Sequence, residues 1–117
     1  MSEEQLNIDA IVKWIELSFD GEVVRDVLPA LTVAVENYRF IISAFAFRIS
    51  RCKSSAGDVS DTLHVRKVME RDDILVINGN DASKVYFAAY HREKAYQETK
   101  KKDAVNQINQ NLAELLK

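Results

Sequence analysis

Cys52, His64 and His91 are the side chains of this 117-residue sequence best suited to nucleophilic or general-base chemistry. A thiol nucleophile needs a base beside it, and neither histidine stands in a sequence pattern that marks it as one. Cys52 is the only cysteine, so no intrachain disulfide forms, and its expected role is that of a small buried hydrophobe. A metal centre needs convergent ligands, and the two histidines stand alone, without a Glu-x-x-His or His-x-x-x-His spacing. Asp72-Asp73 starts no calcium loop, because the ligand spacing does not continue. Asn78-Gly79-Asn80-Asp81 offers backbone donors ahead of a predicted helix, but one glycine beside an aspartate suits helix capping better than phosphate. No nucleophile-elbow or Walker pattern occurs. The sequence thus predicts no catalytic residue, no metal and no cofactor.

One stretch mixes cations with aromatic rings. Lys84, Tyr86, Tyr90, Arg92 and Lys94 lie within eleven residues, ahead of Lys100-Lys101-Lys102. Rings that stack on bases beside phosphate-binding cations are how single-stranded nucleic acid is held. On a helix Tyr86 and Tyr90 share one side with Lys94 further round, while Arg92 faces elsewhere and three adjacent lysines point three ways. A solvated basic face over core aromatics is the ordinary reading. Nucleic-acid binding stands as the alternative function.

The elements that would position these groups read as helices. Ile8, Ile11, Val12, Ile15 and Phe19 make a one-sided stripe over residues 3–19, with Ser2 and Gln5 at capping-box spacing and Gly21 as terminator. Val24, Leu28, Leu31, Val35, Tyr38, Ile42, Phe45, Ile49 and Cys52 follow at alternating steps of four and three, a heptad seam. Pro29 implies a kink in it or a fresh start. The seam serves either a bundle core or a contact between subunits. Residues 53–58 read as a loop. Beyond it two readings compete: a helix over 61–71 with 74–77 as an extended connector, which is preferred, or a hairpin of 62–69 with 73–78. Ala82 to Leu116 reads as one long helix capped by Asp81, breaking or projecting near Lys100–Asp103.

Gly and Pro number only four in the chain, which favours long elements over many turns. Net charge is −2, so no global field steers the protein to nucleic acid or acidic lipid. The acidic N-terminus is not a signal peptide, and Phe40–Phe47 is too short to span a membrane. The expected architecture is therefore all-α: a kinked helical hairpin over 3–52, a linking region and a long C-terminal helix in one domain. The expected function is non-catalytic, cytoplasmic and helix-mediated: an adaptor, assembly or inhibitor-type protein that binds another protein or, most simply, itself. Val105, Ile108, Leu112 and Leu115 return at steps of three, four and three, and are its predicted anchors. The segment 103–117 is then a docking or oligomerisation helix.

Overall fold

A computed structural model describes residues 6–17, 24–29 and 33–117, with side chains described at 6–17 and 35–117. It corrects the all-α expectation. The chain forms a helix α1 (Ile8–Leu17), five strands β1 (Val24–Pro29), β2 (Val33–Ile42), β3 (Phe45–Ser54), β4 (Val59–Lys67) and β5 (Asp73–Asn78), then a helix α2 (Asn80–Leu115). The strands make one antiparallel meander in sequence order.

The nine-residue seam is not a helix. Apart from Leu31, which lies outside the described residues, it falls on β1, β2 and β3. In a strand a step of four keeps to one face and a step of three changes face. Val35 and Cys52 are indeed register partners on one face, while Tyr38 and Ile49 are partners on the other. The period that the fold obeys is two: Tyr38, Phe40 and Ile42, then Phe45, Phe47 and Ile49 lie on the helix-facing side, with Arg39 and Ile41, then Ala46 and Arg48, between them on the other. β-Branched and aromatic residues suit that pleated, half-buried surface. Pro29 closes β1, opposite Ala34, and kinks no helix.

The hairpin of β2 and β3 turns at Ser43-Ala44, where Ser43 holds φ 58°. A left-handed first turn residue is normally glycine. Serine there gives the sequence no turn signal. The loop expected at 53–58 lies between β3 and β4, with Gly57 at φ 93°. The favoured helix over 61–71 is absent, since β4 and β5 form the hairpin instead.

The core lies between the two helices and one face of the sheet. Cross-strand rows Tyr38–Ile49–Leu63–Ile77 and Phe40–Phe47–Val65 supply its floor, while Leu75, the next register partner of Val65, is exposed. Ile8, Ile11 and Ile15 of α1 and Ala82, Val85, Tyr86 and Ala89 of α2 supply its roof. Trp14 stacks on Phe40, and Phe40 on Phe47, at ring-centroid distances of 5.6 and 5.1 Å. Asn7 caps α1, its Oδ1 accepting from the Ala10 N–H at 3.0 Å. The expected cap at Ser2 and Gln5 and the expected stop at Gly21 lie outside the described residues.

Candidate protein-association surface

α2 runs unbroken for 36 residues, through the Lys100–Asp103 segment where a break was one expectation. Its start also differs from expectation. Gly79, at φ 85°, is the N-cap with no side-chain cap bond, and Asp81 sits in the first turn, where its charge suits the helix dipole. Only the first half of α2 packs on the body. Tyr96 is the last residue with partial burial, and every residue from 97 onward is exposed. The molecule accordingly measures 72 × 36 × 26 Å.

The first half is pinned to the sheet by polar groups as well as apolar ones. Glu36, Arg51 and Asp61 form a cross-strand row on the helix-facing side. Arg51 binds Asp61 through two bonds, Nε to Oδ1 at 2.7 Å and Nη2 to Oδ2 at 2.8 Å. The Ser83 hydroxyl of α2 donates to the same Oδ2 at 2.6 Å. The Arg51 guanidinium lies over the Tyr86 ring, 3.8 Å from its centroid, and 4.7 Å from that of Phe87. Hydrogen bonds from Arg51 hold the Asp61 carboxyl below its usual range against the opposing effect of burial. The Tyr38 hydroxyl donates to Glu36 at 2.8 Å and lies 3.3 Å from a Glu93 carboxylate oxygen of α2. Burial first, then that bond to Glu36, pushes the Tyr38 phenol well up. Burial, with Glu36 nearby, pushes Tyr86 up to about 12.

With that anchoring, the outer side of α2 is left to solvent. The predicted anchors Val105, Ile108, Leu112 and Leu115 are 48%, 56%, 49% and 79% exposed. They share one side of the projecting half, and Leu116 adds to it. The same side extends further than the sequence reading recognised. Going back from Val105, Lys101, Glu98, Lys94, His91 and Phe87 continue the steps of four and three, and all are exposed. The signal was present as spacing, but charged residues at its centre hid it. Grooves of about 530 Å³ flank this side, one between α1 and α2 beside Phe87 and His91, the other beside Glu98, Lys101 and Val105.

The residues of the nucleic-acid reading are not brought together. Tyr86 is buried edge-on against Tyr38, and Tyr90 is half-buried and stacked on Tyr86. Lys84 and Lys94 are exposed, and Arg92 is half-buried. Cys52 and His64 stand on the helix-free sheet face, but the cavity that holds His64 does not include Cys52. His91 lines the groove beside α1, again without Cys52. Among the described residues no group of three or more His, Cys, Asp or Glu could hold a metal ion. Asn78-Gly79-Asn80-Asp81 forms the β5–α2 junction. Among the described residues no helix is long and apolar enough to cross a membrane.

Compared with protein-family models, curated proteins and solved structures, the chain matches none.

Proposed function

We propose that this protein is a non-catalytic association module whose partner is a second copy of itself, paired antiparallel along the outer side of α2. The observation that carries the reading is the exposed side running from Phe87 to Leu115 at steps of four and three. A helix face with this spacing is the seam of a two-stranded coil. An apolar stripe left in water gains most by pairing.

The charges choose the second copy and its direction. In a parallel pair Glu98 would face Glu98 and Lys101 would face Lys101. In an antiparallel pair Glu98 faces Lys101 of the other copy, twice by symmetry. The same register sets Leu112 against Phe87, Ile108 against His91, and Val105 against the stem of Lys94. Flanking pairs are Gln97 with Ala104, Tyr90 with Asn111 and Lys102 with Ala95, so no like charges meet. From Lys84 to Leu115 the contact is about 46 Å long at 1.5 Å per residue. The grooves beside the seam give the second helix room to settle. A lone thiol at Cys52 suits a reducing compartment, and cytoplasmic residence belongs to the same proposal.

Light scattering coupled to size exclusion tests this on the whole chain and on a truncation after Lys102. A dimer is expected for the first and a monomer for the second. Glu98→Lys and Lys101→Glu should each weaken the dimer roughly ten-fold, since each turns two attractions of about 0.2–1 kcal/mol into repulsions. Mixing the two variants, or combining both changes in one chain, should restore it. A parallel pair would not be weakened by either change alone. A whole chain that stays monomeric at high micromolar concentration would overturn the proposal.

A further inference from the structure

β5 is an edge of the sheet, so its outer row of backbone N–H and C=O groups has no ladder partner among the described residues. Edge strands are commonly guarded by lysine or proline, and β5 carries neither. Its apolar side chains lie open as well: Ile74, Leu75 and Val76 are all exposed. The row Phe40–Phe47–Val65 therefore runs out onto an uncovered leucine. A bulge opposite Val65 and Arg66 takes up Ile74 alone and leaves Leu75 to Asn78 in regular register.

We propose that the β5 edge pairs antiparallel with β5 of a second copy, joining two sheets into one. A two-fold pair of edge strands sets one residue opposite itself. With Val76 on the axis, Val76 faces Val76, and Leu75 faces Ile77 twice. The row that ends at Leu75 then continues into Ile77 of the other copy, and the row that ends at Ile77 continues into Leu75. Moving the axis to Leu75 would set Ile77 against Asp73, a carboxylate that His64 holds at 2.9 Å. Moving it to Ile77 would set Leu75 against Gly79. Charge agrees with the Val76 axis, because Asp72 and Asp73 of each strand run out beside the neutral Asn78-Gly79-Asn80 of the other.

This contact does not compete with the pairing of α2. The helix crosses the sheet away from β5: Ser83 reaches Asp61 on β4, Tyr86 meets Arg51 on β3, and Glu93 lies beside Tyr38 on β2. Its projecting half thus leaves the body on the side away from β5. β5 is six residues long and α2 thirty-six, so the edge pairs at higher concentration than the helix. Where α2 pairs as proposed above, the two contacts in alternation link copies into a row.

Disulfide trapping on the whole chain tests the proposal, with Cys52→Ser in every variant. Residues opposite one another in an antiparallel pair have Cα atoms about 4.5–5.5 Å apart, within the ~4.4–6.8 Å that a disulfide spans. At millimolar chain under mild oxidation, Val76→Cys should cross-link at least ten times faster than Met69→Cys, whose site is almost fully exposed. Adding Glu98→Lys should change that rate less than two-fold, so the edge is tested whether or not α2 pairs. By light scattering the native chain should gain mass between micromolar and millimolar concentration, and Val76→Lys should not. The proposal fails if Val76→Cys cross-links no faster than Met69→Cys, if the native mass stays constant to millimolar, or if Val76→Lys does not stop its growth. The edge would then be left to an extended segment of a different protein.

Discussion

Asp61→Ala will destabilise the fold by about 2–4 kcal/mol and will loosen the seat of α2. The carboxylate is nearly sealed, with its side chain 3% exposed, and it accepts both bonds from Arg51 and the bond from Ser83. Breaking a fully buried pair by removing one partner costs about 3–5 kcal/mol, because the other charge stays behind. Arg51 keeps 22% of its side-chain exposure, so water recovers part of that cost. The effect has a pH signature. The folded-state pKa of Asp61 lies below the ordinary value of 3.8, so its stabilisation is complete above that value. It is lost as pH falls through the folded pKa, where both states are protonated. Urea unfolding of the native chain and of Asp61→Ala should therefore differ most near neutrality and converge in acid. A stability gap as wide at pH 3 as at pH 7 would mean that the charge of Asp61 contributes nothing.

The same residue shows what the sequence could and could not disclose. Asp61 reads as the start of a helix over 61–71 until β4 is registered against β3, which sets it opposite Arg51. Register is a long-range property, and nothing local marks it. The all-α expectation failed for a related reason. Steps of four and three through Tyr38, Ile42, Phe45 and Ile49 match a helix seam, yet they equally describe alternation interrupted by a turn. The decisive residue is Ser43, whose positive φ closes the hairpin without the glycine or asparagine that would have announced it. The scarcity of Gly and Pro therefore misled, because two strands of ten residues need few turns.

α2 was legible because its helical pattern rests on local spacing and on the absence of breakers after Gly79. The exposure of Val105, Ile108, Leu112 and Leu115 follows from that same length, since a helix of 36 residues outreaches a small α/β body. The extension of the seam through Glu98 to Phe87 became visible only once the inward side of α2 was known. Val85, Tyr86 and Ala89 face the sheet, which leaves Phe87 and His91 on the outside. The grouping of arginines on the helix-free side of the sheet was hidden altogether. Arg39, Arg48, Arg66 and Arg71 are scattered over 33 positions and converge only through three strand pairings.

One substitution made at two leucines separates the body from the association surface. Leu63→Ala empties a site that is 0% exposed in the middle of the core. A cavity there costs about 2–5 kcal/mol, and the melting temperature should fall by roughly 10 °C or more. That loss should be present in dilute and in concentrated samples. Leu112→Ala removes the same atoms from a side chain 49% exposed on the projecting half of α2. An exposed change of this kind shifts the stability of a lone chain by no more than about 0.5 kcal/mol. In the antiparallel pair, however, Leu112 meets Phe87 of the other copy at two symmetric places, and the dissociation constant should rise about ten- to a hundred-fold. Because a dimer stabilises its folded chains by mass action, the melting temperature of Leu112→Ala should fall below the native value only at high concentration. Thermal unfolding over a wide concentration range, with mass measured on the same samples, distinguishes the two. Should Leu112→Ala instead lower the melting temperature equally at every dilution, the leucine would be packing on its own body, and the seam would be no contact between copies.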